Sequence, residues 1–180
     1  MSFSQSLPQL RGSKKKRIIC GVDIEKDEAD MTEKERSERA MELFSQGYNC
    51  AQAVLLSFAD EAGADTELLA KMASSFGGGI GGMREVCGCV SGMCMAAGML
   101  FGYSDPEARE TKKEHYALVR SLADEFARET GSVICRELLS GEKLSANPRP
   151  RTEEYYRKRP CREFTGIAAA ILQRRVDETR

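Results

Sequence analysis

From residue 31 onward, apolar positions recur at helical spacing between capping and breaking signals, and these divide the chain into a run of predicted helices. Thr32-Glu33-Lys34-Glu35 matches a capping box, so a helix is expected over 33–45, with Ala40, Met41 and Phe44 inward and Gly47 as a stop. Asn49 is a good N-cap for a second helix, in which Ala51, Val54, Leu55, Phe58 and Ala62 recur before Gly63. Asp65 or Thr66 opens a third, through Leu68, Leu69 and Met72 to Phe76. Residues 84–101 are apolar and crowded with Gly88, Ser91, Gly92, Ala96, Ala97 and Gly98. That stretch is a poor helix by propensity, but its small residues permit close backbone packing, so it is expected to be the buried central helix.

Asp105-Pro106 signals the start of a long helix with His115, Leu118, Val119, Leu122 and Phe126 on one face, ending near Gly131. A short helix from Cys135 to Leu139 should stop at Gly141, and residues 142–151, with Pro148 and Pro150, read as a surface loop. After Pro160, the positions Phe164, Ile167, Ala168, Ile171, Leu172 and Val176 form an amphipathic stripe. No alternating strand, internal repeat or second domain is evident. The expected fold is therefore all-α, a single-domain bundle of six to seven helices around the glycine-rich one, spanning residues 31–180. Residues 1–30 lack sustained periodicity and read as a poorly ordered arm or extension, with Met31 able to serve as an initiator.

Charge and composition narrow the function. Basic and acidic side chains balance, 27 against 28, so nucleic acid is not the expected partner. The basic run Lys14-Lys15-Lys16-Arg17 is followed by acidic residues from Asp23 to Asp30, as in a solvated arm. No stretch has the roughly 18 apolar residues a membrane helix needs, and no secretory leader is evident, so a cytoplasmic protein without membrane insertion is expected. At 180 residues the chain can bury a core without cross-links, yet it has seven cysteines. In a reducing compartment such thiols serve as metal ligands or redox groups more often than as disulfides.

Helix placement separates the cysteines. Cys50, Cys135 and Cys161 fall at predicted helix N-termini, and Cys87 falls within a turn or so of a glycine cluster. There the helix dipole and exposed N–H groups favour thiolates, the form that attacks disulfides or binds metal. If Cys87 and Cys89 share a helix they lie about 200° apart, which disfavours joint chelation. Cys89 and Cys94 then read as packing or accessory thiols, and Cys20 as incidental to the arm. There is no C-x-x-C and no common ferredoxin spacing, so any cluster ligands must be gathered from separate helices.

Residues 76–82 formally contain G-x-G-x-x-G at Gly77, Gly79 and Gly82, but a helix, not a strand, precedes it and no P-loop lysine follows. The segment reads either as a plain tight connection or as a positive-φ loop offering N–H groups to an anionic partner near Cys87. Gly79 and Gly82 are accessory positions in that second reading. Arg84 and Glu85 are placed to tune Cys87, His115 to pack, and Tyr155 to Arg159 to form a solvated rim.

The run Gly47-Tyr48-Asn49-Cys50-Ala51-Gln52-Ala53-Val54, the glycine cluster, Cys87-Gly88-Cys89-Val90-Ser91-Gly92 and the isolated Cys135 and Cys161 resemble the redox-active proteins named for a C_GCAxxG_C_C cysteine pattern. The resemblance runs from about Met31 to Val176 and implies that the family's four cysteines fall on Cys50, Cys87, Cys135 and Cys161. Cys89 departs from it, standing where C-G-A-x-x-G has alanine. Related domains resemble part of split-Soret cytochromes, which carry iron-sulfur centres as well as haem. The expectation is that these four cysteines bind an iron-sulfur cluster of the two-iron type and serve electron transfer or redox sensing with a redox partner. A homodimer is compatible with the spare amphipathic faces. The alternatives are thiol-disulfide chemistry without metal, as an oxidoreductase would use, and a zinc-binding or purely structural helical module.

Overall fold

The computed structural model describes residues 17–19, 22–24, 31–139, 150 and 152–180. Cys20, Lys14 to Lys16, Gly141 and most of the expected 142–151 loop lie outside these, as do the side chains of Tyr156, Arg157 and Lys158. The chain divides into two compact units, Met1–Asp30 and Met31–Arg180. In the first, β1 (Arg17–Ile19) pairs antiparallel with β2 (Val22–Ile24), Ile18 opposite Asp23. Among its described residues the second is all-α apart from one antiparallel bridge between Val86 and Ile134.

Local capping sets the first helices where the sequence places them. The Thr32 side chain caps α1 (Glu33–Ser45), accepting from the Glu35 N–H at 3.3 Å, while the Glu35 carboxylate takes the Thr32 N–H at 2.8 Å. Asn49 caps α2 (Cys50–Leu56), accepting from the N–H groups of Ala51 and Gln52 at 2.9 and 3.0 Å. The second helix does not continue to Ala62, however. Arg36 takes the Ser57 carbonyl, Phe58 leaves helical geometry at φ −110° and ψ 8°, and the chain resumes as α3 (Ala59–Ala62) before Gly63. Asp65 caps α4 (Thr66–Ala73), which tightens into a 3₁₀ turn over Ser74–Phe76.

Two further starts differ from expectation. The central helix α5 (Gly88–Phe101) begins four residues late, because residues 84–87 pair with residues 133–136 instead of winding into a helix. The long helix α6 (Arg109–Thr130) begins beyond Pro106, since the Asp105 carboxylate takes the Glu107 N–H at 2.9 Å and forms a separate turn. α7 (Cys135–Leu138) and α9 (Cys161–Glu178) follow the pattern. α8 (Glu153–Lys158), capped by Thr152, has no counterpart in the pattern.

α1 packs along α9 and α2 along α5, with α5 and α6 closing against α9. Val54, Phe58, Met93, Leu122, Phe126, Ile171 and Leu172 fill the space between them. Small residues on α5 do allow close approach, though not every glycine is needed for it. A Cβ on Gly92 would lie 2.5 Å from the Ala51 carbonyl oxygen, whereas one on Gly98 would meet nothing within 4 Å. Among the described residues no helix is long and apolar enough to cross a membrane.

Candidate functional site

The α2–α5 contact brings two cysteine-bearing segments together. Cys50 is the first residue of α2 and Cys89 the second of α5, while Cys87 is the residue that precedes α5. Gly88 lies between them with its α-carbon against the Cys50 sulfur, so close that any Cβ would collide with Sγ. Cys135 and Cys161 open α7 and α9. Cys50, Cys87, Cys89 and Cys135 are buried, Cys161 and Cys94 are half-buried, and all six are free thiols.

The glycine cluster explains how Cys87 and Cys135 are set. Gly78, Gly79, Ile80, Gly81 and Gly82 all have positive φ, between 57° and 84°, and Arg84 follows at 64°. Such a left-handed turn costs L-residues roughly 1–2 kcal/mol each, which glycine avoids. The turn is closed by the Gly81 N–H on the Ser75 carbonyl at 2.7 Å and the Gly82 N–H on Gly77 at 3.1 Å. It turns the chain so that the Cys87 N–H reaches the Val133 carbonyl at 2.8 Å and the Cys135 N–H reaches the Glu85 carbonyl at 2.7 Å. A Cβ on Gly79 would lie 2.7 Å from that of Cys135. The Asn49 side-chain amide donates to the Ser74 carbonyl at 3.0 Å and ties the start of α2 to the same loop.

Electrostatics divide the thiols. The Cys89 thiol donates to the Cys50 sulfur, and with N–H donors from Gly78, Cys50 and Ala51 it holds the Cys50 pKa down at about 6 against burial. Cys89 is correspondingly pushed well up by its bonds to Cys50 and Cys87 and by desolvation. Burial raises Cys135, partly offset by a hydrogen bond from Arg84. Burial also raises Cys161 strongly, and the charges of Cys50, Cys87 and Cys135 add to it while Arg159 opposes them. Cys94 is raised by burial and packs against the core from α5.

Several expectations need correction here. Cys89 is not separated from Cys87 by a helical rotation, because Cys87 is extended (φ −56°, ψ 133°) and the helix starts after it. Its sulfur adjoins both Cys50 and Cys87. A helix start does not lower every thiol, since burial raises both Cys135 and Cys161. The glycine loop does offer an N–H to sulfur, but Gly78 gives it to Cys50. Arg159 is not part of a solvated rim: it is 5 % exposed, with its guanidinium 4.8 Å from the centre of the Tyr155 ring. The place of Cys89 follows from the delayed start of α5, and no local signal flagged either that or the burial of Arg159. His115 packs, edge to face, against Tyr103.

Five thiols thus come from four segments, with Cys89 bonded to Cys50 and to Cys87 and with Cys135 and Cys161 within electrostatic reach. In this arrangement no three Cys, His, Asp or Glu side chains among the described residues already hold metal-ligating geometry. The donor set is nonetheless all sulfur, which selects zinc or iron-sulfur chemistry over hard cations.

Among solved structures the fold is similar to the split-Soret cytochrome c from Desulfovibrio desulfuricans ATCC 27774, a protein described as holding a novel iron centre. The TM-score is 0.55 at 18 % identity, over 86 % of this chain and 73 % of that one. No curated protein matches the sequence. Residues 48–175 match the family described as "Putative redox-active protein (C_GCAxxG_C_C)", a span that holds Cys50, Cys87, Cys89, Cys135 and Cys161, and the chain belongs to that family.

Proposed function

We propose that Cys50, Cys87, Cys135 and Cys161 bind an iron-sulfur centre, of the two-iron type, and that the protein transfers electrons or senses redox state through it. The observation that carries this reading is the gathering of thiols, buried at Cys50, Cys87 and Cys135 and half-buried at Cys161, from α2, the start of α5, α7 and α9 around α-carbons that lack side chains. Gly79 and Gly88 stand against Cys135 and Cys50, where any Cβ would intrude. The iron centre described for the similar cytochrome supports iron over zinc. When bound, the centre supplies one-electron chemistry. The protein's own part is to hold the sulfurs, keep water from them and supply N–H groups at Cys50. Purified without oxygen, the chain should be coloured and contain iron and acid-labile sulfide. A colourless, metal-free product from that preparation overturns the reading, and zinc without iron selects a structural site.

A second reading has its own observation, the contact of the Cys89 thiol with the Cys50 and Cys87 sulfurs. Without metal, a pair of these can cycle between dithiol and disulfide, releasing two protons and two electrons to an oxidant such as another disulfide. Mass spectrometry after mild oxidation should then show loss of two hydrogens and a link between Cys89 and Cys50 or Cys87.

A further inference from the structure

We propose that the cleft between the end of α5, the first half of α6 and the last turn of α9 binds an organic cation, an ammonium group carried on an apolar body. The cleft measures about 600 Å³, within the range of small-molecule sites. Phe101 closes α5 here, twelve residues or about 18 Å of helical rise beyond Cys89. The cleft is thus separate from the thiol site, and what it binds can be tested without metal.

The class of ligand follows from the hydrogen-bonding character of the polar lining, which offers acceptors in excess. The Ser121 hydroxyl donates to the Leu118 carbonyl at 2.8 Å and the Thr179 hydroxyl to the Val176 carbonyl at 2.8 Å, so each oxygen keeps only lone pairs for a ligand. Arg175 in the lining is already held by Glu178 at 2.7 Å and Glu125 at 3.8 Å. The Glu114 carboxylate, also in the lining, has no ion pair among the described residues. Its lysine neighbours are engaged elsewhere, Lys112 over the Tyr116 ring at 5.7 Å and Lys113 with Glu110 at 3.5 Å. His115 Nδ1 is buried without a hydrogen-bond partner among the described residues, and an imidazole nitrogen can accept one. The last turn of α9 adds the negative end of that helix's dipole, while Glu114 lies past the first turn of α6, where the opposite dipole has faded. Phe101 and Leu118 supply the apolar walls against which a ring or chain bearing the ammonium would rest. An anion would meet the unpaired Glu114 carboxylate instead.

The test is an NMR titration of the reduced full-length chain, in which the imidazole signals report on the cleft because His115 is the only histidine. Phenethylamine, 2-phenylethanol and 3-phenylpropionate carry the same phenyl ring on a cationic, a neutral and an anionic group. Phenethylamine should shift the His115 signals saturably and raise the thermal midpoint, with the alcohol about tenfold weaker and the carboxylate without effect. Glu114→Gln, at an exposed position, should bind phenethylamine about tenfold less tightly, the scale of a lost hydrogen bond to a charged group. Ser121→Ala should bind it about threefold less tightly. Three probes that shift His115 alike, the lack of any saturable shift, or a Glu114→Gln chain that binds phenethylamine like the parent would each overturn the proposal. Should either variant fail to fold, as circular dichroism would show, the comparison of the three probes on the parent chain decides.

Discussion

At Cys50, three backbone N–H groups and the Cys89 thiol all donate to one sulfur, and this outweighs a burial that acts in the opposite direction. In the unfolded chain a thiol titrates near about 8.5. Cys50, depressed to about 6, therefore contributes stability that is complete above about pH 8.5 and lost as pH falls through 6. Cys89, Cys135 and Cys161 are raised, so their contribution is present below about pH 8.5 and lost as pH climbs beyond it. The reduced, metal-free chain should be most stable around pH 8, a maximum that urea midpoints from pH 5.5 to 10 would show. Cys89→Ala removes the principal donor to Cys50. It should flatten the acid limb and move the thiolate absorbance of Cys50 to higher pH; an unchanged limb would mean that the backbone donors suffice.

α5 shows at the scale of an element what local sequence can and cannot specify. Its apolar, small-residue composition marks a buried helix, and Asn49 and Thr32 mark the helices around it, because capping and periodicity are decided within a few residues. Its start is decided elsewhere, by a left-handed turn at 78–82 and by pairing of residues 84–87 with 133–136, which nothing in either segment announces alone. Helix placement in the sequence could therefore single out Cys50, Cys87, Cys135 and Cys161, whereas the contacts of Cys89 and the burial of Arg159 emerge only in the packed chain. The glycines of α5 make the same distinction testable. Gly98→Ala meets open space and should gain about 0.5–1 kcal/mol from helix propensity. Gly92→Ala presses on the Ala51 carbonyl and should lose about 1–3 kcal/mol by overpacking, with the thiols still in place. Gly88→Ala presses on the Cys50 sulfur and on the Phe76 carbonyl at 2.9 Å. It should be destabilised to a similar extent and, unlike Gly92→Ala, lose metal binding. Thermal midpoints with cobalt uptake separate the three.

In the whole domain, the thiols occupy one end of the helix pairs and a buried polar cluster occupies another part of the same helices. Arg36 on α1 is fully buried, and its guanidinium reaches Asp60 at 2.7 Å, Glu61 at 2.9 Å and Gln173 at 3.0 Å, with the Phe58 ring 4.7 Å away. It thereby joins α1, the α2–α3 break and α9, and its bond to the Ser57 carbonyl is what ends α2. Gln173 and Cys161 are twelve residues apart on α9, about 18 Å of helical rise. The Phe126–Phe164 contact and the apolar core lie in the sequence between those levels, so loss at Arg36 should reach the sulfurs only through global unfolding. Arg36→Met removes the buried cation from Asp60 and Glu61, leaving Glu61 only the less buried Arg180 at 2.8 Å, and breaking such a buried pair costs about 3–5 kcal/mol. The urea midpoint should fall accordingly with an unchanged slope, while cobalt uptake at low temperature stays at the parent's stoichiometry. A variant that instead loses metal while still folded would show that the polar cluster and the thiol site form one cooperative unit, with α9 transmitting between them.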